Sequence, residues 1–150
     1  MPILTLDLYK YAHHMDTGAA AGADVDALMG NIQWTAVYGR YQQAVLAASE
    51  PFGASQDQVG DALVLDVRRA GAFNNACTLI PGARWCDPAT VASWAGDLPA
   101  GREVVVYCVY GHEVSRATAM RLQASGLNAR FQRGGIDGWQ SVGRPLVDKS

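Results

Sequence analysis

Val104–Ala119, VVVYCVYGHEVSRATA, carries the residue types of a strand, a tight loop and a helix in succession. Val104-Val105-Val106-Tyr107 is continuously apolar, the pattern of a central strand covered on both faces, and it runs straight into Cys108. Beyond Gly111 the stretch EVSRATAMRLQAS holds helix formers with few breakers, and it ends at Gly126, a good left-handed C-cap. A cysteine at the end of a buried strand, before a glycine-containing loop and a helix, sits where loop amides and the helix N-terminus point at its sulfur. That setting favours thiolate over thiol. Cys108 is therefore the candidate nucleophile.

Outward from this stretch, short apolar runs alternate with amphipathic ones, the signature of an α/β domain with a mainly parallel central sheet and helices on both faces. Leu63–Val67 reads as a strand, 70–76 as a short helix, and 82–85 as a strand after the Ile80-Pro81-Gly82 turn. Asp87 and Pro88 supply an N-cap carboxylate and a first-position proline for a helix over ATVASWAGDL that stops near Pro99. Ala129–Phe131 reads as the last strand. The tail from Gly134 to Trp139 turns into a short closing helix ended by Gly143 and Pro145.

The first 60 residues fit this alternation less well and read as a partly helical extension to a domain over 61–150. Residues 17–23 form a small-residue, loosely ordered stretch. Val25, Leu28, Met29, Ile32 and Ala36 follow helical spacing, so 24–49 reads as a helix weakened at Gly30 and Gly39 that packs on the domain or on a partner chain. Residues 50–61 read as a linker, and no internal repeat is visible.

With 150 residues, 49% of them apolar, the chain can bury one sizeable core but not two ordinary enzyme domains. A net charge of −2 without a Lys/Arg cluster argues against a nucleic-acid partner. The N-terminus lacks the pattern of a secretion signal, and no apolar run is long enough to span a membrane, so a cytoplasmic protein is expected. Three cysteines, Cys77, Cys86 and Cys108, without CxxC or Cys/His spacing, indicate neither a disulfide framework nor a zinc site. Cys77 and Cys86 read as small buried hydrophobes. His13-His14 lacks further ligands at matching spacing, so no metal is expected.

Four segments in order, LVLDVR (63–68), IPGA (80–83), VVVYCVYGHEVSRATA (104–119) and FQRGGIDGW (131–139), resemble the rhodanese family of single-domain sulfurtransferases. The resemblance implies a rhodanese-like fold and a two-step transfer. The Cys108 thiolate takes the outer sulfur of thiosulfate or a similar donor as a persulfide, and cyanide or a thiol acceptor collects it. The amides of Val109, Tyr110, Gly111, His112, Glu113 and Val114 would cradle that persulfide. The resemblance implies a small-molecule donor and acceptor, leaves room for a protein acceptor and a homodimer, and calls for no cofactor.

The simplest members read C-x-x-G-x-x-S, whereas here Gly111 is third after Cys108 but Ser115 is seventh, so the loop is one residue longer. Rhodanese-fold phosphatases and arsenate reductases use C-x-x-x-x-x-R, whose arginine clamps a tetrahedral oxyanion. That position is Val114 here, and Arg116 lies two residues beyond it. Oxyanion chemistry and a non-catalytic persulfide carrier are the alternatives. The loop variant CVYGHEVS resembles that of bacterial single-domain rhodaneses, some of which occur with chromate-resistance proteins.

His112 and Glu113 follow Gly111 and either line the mouth of the site or form a solvated edge, Glu113 better as a helix N-terminal charge. Asp66 and Arg68 match the family's D-x-R element, which anchors the active-site region through charged hydrogen bonds. Arg69 and Arg116 are the candidates for meeting an anionic donor, although Arg69 taken alone reads as an ordinary solvated arginine. Trp139 is expected to pack the closing helix on the sheet, with Trp85 and Trp94 in or near the core. Cys86 is a minor candidate for a resolving thiol.

Overall fold

The computed structural model of the protein describes residues 21–149. His13-His14 and residues 17–20 lie outside them. The chain divides into two compact units, Met1–Ala44 and Val45–Ser150.

In the first unit α1 covers Ala21–Asn31, and α2 runs Trp34–Ser49, its residues from Val45 on belonging to the second unit. Helix therefore starts earlier than expected, at Ala21, and the break falls at Ile32-Gln33 rather than at either glycine. The Asn31 side-chain amide donates to the Ala27 carbonyl at 2.9 Å, a local bond that competes with continuing the helix. Gln33 then accepts from the amides of Ala36 and Val37 and restarts it. Gly30 and Gly39 stay helical, each at a cost of about 1 kcal/mol relative to alanine.

The second unit opens with a correction. Residues 50–61, expected as a linker, hold a 3-10 turn at Glu50–Phe52, strand β1 at Gly53–Ala54, and a further 3-10 turn at Gln56–Gln58 closed by a Ser55/Gln58 capping box. There follow β2 (Leu63–Asp66), α3 (Ala70–Asn74), β3 (Thr78–Leu79), β4 (Arg84–Trp85), α4 (Val91–Trp94), β5 (Val104–Tyr107), α5 (Glu113–Ala124), β6 (Ala129–Gln132), α6 (Gly135–Ser141) and β7 (Val147–Asp148). The main sheet has the order β1-β6-β5-β2-β4, and every pairing in it is parallel. A second, antiparallel pair, β3 with β7, has no counterpart in the sequence reading.

All four residues of β5 are 0% exposed, which is why this strand is apolar on both faces. On one face Val104 and Val106 join Leu65, Phe131, Ala119 and Leu122 under α4 and α5. On the other, Val105 and Tyr107 join Val64, Ile80, Ile136 and Trp139 under α6. Gly126 ends α5 at φ +85°, with its amide on Gln123 and the Leu127 amide on Leu122, the paired bonds of a Schellman cap. Asp87 caps as expected, accepting from the Ala89 amide at 2.9 Å. The expected continuous helix beyond it is instead 3-10 at Pro88–Thr90, α at Val91–Trp94 and 3-10 at Ala95–Asp97. Its inward face survives, since Val91, Ala95 and Leu98 are buried at helical spacing. Among the described residues no helix is long and apolar enough to cross a membrane.

Beneath the carboxyl ends of β2 and β5 lies a buried ion pair. Asp66 is 0% exposed and Arg68 only 3%. Arg68 Nε lies 3.0 and 2.9 Å from the two Asp66 carboxylate oxygens, and the Arg68 amide donates to Oδ1 at 3.0 Å. The Tyr107 hydroxyl donates to Asp66 Oδ2 at 2.9 Å and accepts from the Ile80 amide at 3.3 Å. Arg68 also donates to the Thr78 carbonyl at 2.9 Å, and its own carbonyl accepts from Trp85 Nε1 at 2.9 Å. Removing one partner from such a cluster leaves a buried group unsatisfied.

At the C-terminal end of the sheet, the Ile136 and Asp137 amides at the start of α6 donate to the carbonyls of Cys108 and Val109 at 3.0 and 3.1 Å. Gly135 makes this approach possible. Its φ is +61°, and a Cβ there would lie 2.3 Å from the Val109 oxygen and 2.5 Å from that of Cys108. Gly111, φ +71°, meets the same turn from the other side, with space for a Cβ blocked by the Gly134 amide at 2.6 Å.

Two substitutions test this account. Burial, then the Asp66 charge, push the Tyr107 phenol well above its usual range. The folded chain thus holds it neutral where the unfolded chain ionises it, so this stability is complete below about pH 10 and declines as pH rises above it. Tyr107→Phe should cost about 2 kcal/mol at neutral pH and flatten the alkaline loss, both read by denaturant unfolding. Gly135→Ala should cost at least about 2 kcal/mol, against less than about 1 kcal/mol for Gly138→Ala inside the same helix.

Candidate active site

Cys108 leaves the end of β5 6% exposed, and its Sγ lies 3.2 Å from the Oγ of Ser115, a residue with no exposed surface in the first turn of α5. Strand end and helix start thus meet at the sulfur, with the loop between them turning at Gly111. His112, in extended conformation, precedes the helix, and Glu113 begins it. Negative charge at that position suits the helix dipole.

Above the sulfur opens a cleft of about 240 Å³. One wall is Arg68, Arg69 and Ala72; the other is Val109, Tyr110, His112, Glu113 and Val114, with Cys108 between them. The Tyr110 side is open, since that residue is 56% exposed and its ring centroid lies 5.8 Å from that of His112. Arg69 is the exposed cation of the rim, at 3.6 Å from the Glu113 carboxylate. Arg68 contributes to the wall while its guanidinium is held by Asp66 below.

The residues singled out in the sequence separate into groups. Cys108, Val109, Tyr110, His112, Glu113, Val114, Arg68 and Arg69 line the cleft. Ser115 stands behind the sulfur, Gly111 is the turn, and Asp66 lies beneath. Trp139 packs on the opposite face of the sheet, with its Nε1 donating to the Pro145 carbonyl at 2.9 Å.

Arg116 does not line the cleft, contrary to its reading as an anion-binding candidate. Its Nε donates to the Gly111 carbonyl at 2.9 Å, its Nη1 reaches Glu50 at 2.9 Å, and its guanidinium lies 4.2 Å from the Phe131 ring centroid. One residue of wall, Ala72 on α3, escaped the sequence reading, because a small residue on a short helix carries no chemical signal.

The other two thiols differ from Cys108. Cys77 is exposed, which corrects its reading as a buried hydrophobe. Cys86 belongs to the core under α4, and burial pushes its thiol up, away from the reactive thiolate a resolving cysteine needs. Among the described residues no group of three or more His, Cys, Asp or Glu side chains could hold a metal ion.

Comparison with known proteins bears on this geometry. A rhodanese-related protein of Thermoplasma volcanium is 24% identical, with 63% of this chain and 96% of that one covered at a TM-score of 0.55. A Rhodopseudomonas palustris protein named a possible tyrosine phosphatase is 20% identical, covering 70% and 92% at a TM-score of 0.61, a likeness of fold. A thiosulfate sulfurtransferase of Pseudomonas aeruginosa is 27% identical over 61% of this chain and 18% of that one, at a TM-score of 0.51. A 44-residue stretch is 50% identical to the iron superoxide dismutase of Cupriavidus metallidurans, covering 29% of this chain and 22% of the length of that curated relative. The rhodanese-like domain family matches residues 52–142, well over half of the chain and all of the cleft, so the protein belongs to that family.

Proposed function

We propose that the protein is a sulfurtransferase that moves sulfane sulfur from thiosulfate or a similar donor to cyanide or a thiol through a persulfide on Cys108. The observation that carries this reading is the Cys108 sulfur at the floor of the cleft, with the Ser115 hydroxyl at 3.2 Å. A thiolate there accepts the hydroxyl proton as a hydrogen bond and keeps a lone pair for the donor.

In the first half-reaction Cys108 Sγ attacks the outer sulfur of thiosulfate. The new S–S bond forms as the old one breaks, and sulfite leaves with the bonding electron pair. In the second, cyanide or a thiolate attacks the outer sulfur of the persulfide, and the electron pair returns to Cys108. No net oxidant, metal or cofactor enters the cycle. Arg69 at the rim attracts the anionic end of the donor, and its ion pair with Glu113 offsets the repulsion that carboxylate would exert. Val114 places an apolar side chain where the oxyanion clamp of the phosphatases would need an arginine, which favours sulfur over phosphate chemistry. The free thiols suit the reducing cytoplasm.

Intact mass should rise by one sulfur, about 32 Da, on exposure to thiosulfate and return on adding cyanide, with thiocyanate released. Cys108→Ser should abolish both changes; a serine variant that still forms thiocyanate would overturn the assignment. Arg69→Ala should raise the thiosulfate KM about fivefold at low salt with little change in kcat, and added salt should narrow that difference.

A further inference from the structure

Outside the cleft, Glu50 is a hub for two arginines that border the Cys108 loop. Arg116 stands where the loop becomes α5, and Arg133 where β6 becomes the Gly134-Gly135 turn that packs on the loop. Arg116 Nη1 reaches Glu50 Oε2 at 2.9 Å, while Arg133 pairs with Glu50 Oε1 and donates to the Glu50 carbonyl at 2.9 Å. Both guanidiniums lie against the Phe131 ring, with centroid distances of 4.2 and 5.7 Å. Gly53 admits the second arginine, since a Cβ there would fall 2.4 Å from its central carbon.

Arg116 has a further bond that gives the cluster its direction. The same side chain that binds Glu50 donates from Nε to the Gly111 carbonyl at 2.9 Å, inside the loop. It also reaches Ser49 Oγ at 3.3 Å and the Leu46 carbonyl at 3.4 Å. A chain of direct contacts therefore runs from the end of α2, through Arg116, to the turn of the loop. Hydrogen bonds from Arg116 and then Arg133 hold the Glu50 carboxyl below the usual carboxylate range, so the hub stays charged at neutral pH. Glu50 lies just outside the residues matched by the family, 52–142.

We propose that Glu50 is a positioning residue for the Cys108 loop, acting through Arg116 to set the Gly111 turn, so that the segment preceding the family domain tunes the active site. This rests on the sulfur-transfer reading for its catalytic consequence but not for its structural one. Glu50 touches no part of the cleft, so its effect falls on the rate at saturating donor and not on donor affinity. Glu50 is exposed, and surface ion pairs contribute little to global stability, so E50Q and E50A fold; R116A also removes packing on Phe131, and its unfolding midpoint is measured beside the exchange data.

The test uses the full chain with E50Q, E50A, R116A and the double variant E50A/R116A. It measures loop amide exchange over 109–113 by mass spectrometry, and single-turnover sulfur loading from thiosulfate. E50A and R116A should each speed exchange of the loop and slow loading about tenfold at an unchanged half-saturating thiosulfate concentration, with E50Q between them and the wild type. The double variant should match R116A alone, because the two residues act in series. E103A, which breaks the Arg130 ion pair at the other end of β6, should change neither readout. Wild-type loop exchange in E50A, or effects of E50A and R116A that multiply, would overturn the proposal. Failure of the wild type to load sulfur would strike the proposed function, while the exchange data would still decide the role of Glu50.

Discussion

A carboxylate with no exposed surface must find its partners inside the protein, and Asp66 finds them in the segment after β2 and on β5, which meet at the cleft. Arg68 neutralises its charge, and Tyr107, from the neighbouring strand, fills a remaining acceptor site. That second bond fixes the residue immediately before Cys108. The first fixes the backbone that carries Arg69 to the rim. One buried charge thus sets the relative position of the nucleophile and of the wall opposite it, and the low local dielectric makes each bond stringent.

Above this anchor the loop is held from separate directions. The α6 amides bind the carbonyls of Cys108 and Val109, Gly111 packs against Gly134, and Arg116 binds the Gly111 carbonyl. A loop carrying a nucleophile gains from such restraint, since preorganised backbone costs nothing to arrange when charge develops at the sulfur. His112, Glu113 and Val114, among which the extra residue of the loop falls, all line the cleft. Ser115 still meets the sulfur, at 3.2 Å, although the loop is one residue longer than the simplest family pattern.

Much of this was legible from residue order. VVVY had to be a strand buried on both faces, Gly126 had to end a helix, and Asp87-Pro88 had to begin a helical turn, because each rests on a local rule of periodicity or capping. The two-residue strands β1, β3 and β7 were not legible, since so short a run has no period; β4, equally short, was placed only by the Ile80-Pro81-Gly82 turn before it. The direction of Arg116 was hidden for another reason. A long side chain at a helix start reaches either side of the loop, and only the arrival of Glu50 and Phe131 from distant sequence draws it away from the cleft.

The sequence alone determined that Cys108 ends a buried parallel strand before a glycine turn and a helix, and that Val114 stands where an oxyanion clamp would need arginine. These are statements about neighbours along the chain, and local backbone chemistry settles them. Tertiary structure alone decided that Ser115 faces the sulfur, that Arg69 faces the cleft while Arg116 turns to Glu50, and that residues 50–54 join the domain. Those depend on which distant side chains share a space, and burial and charge pairing across the folded chain determine that.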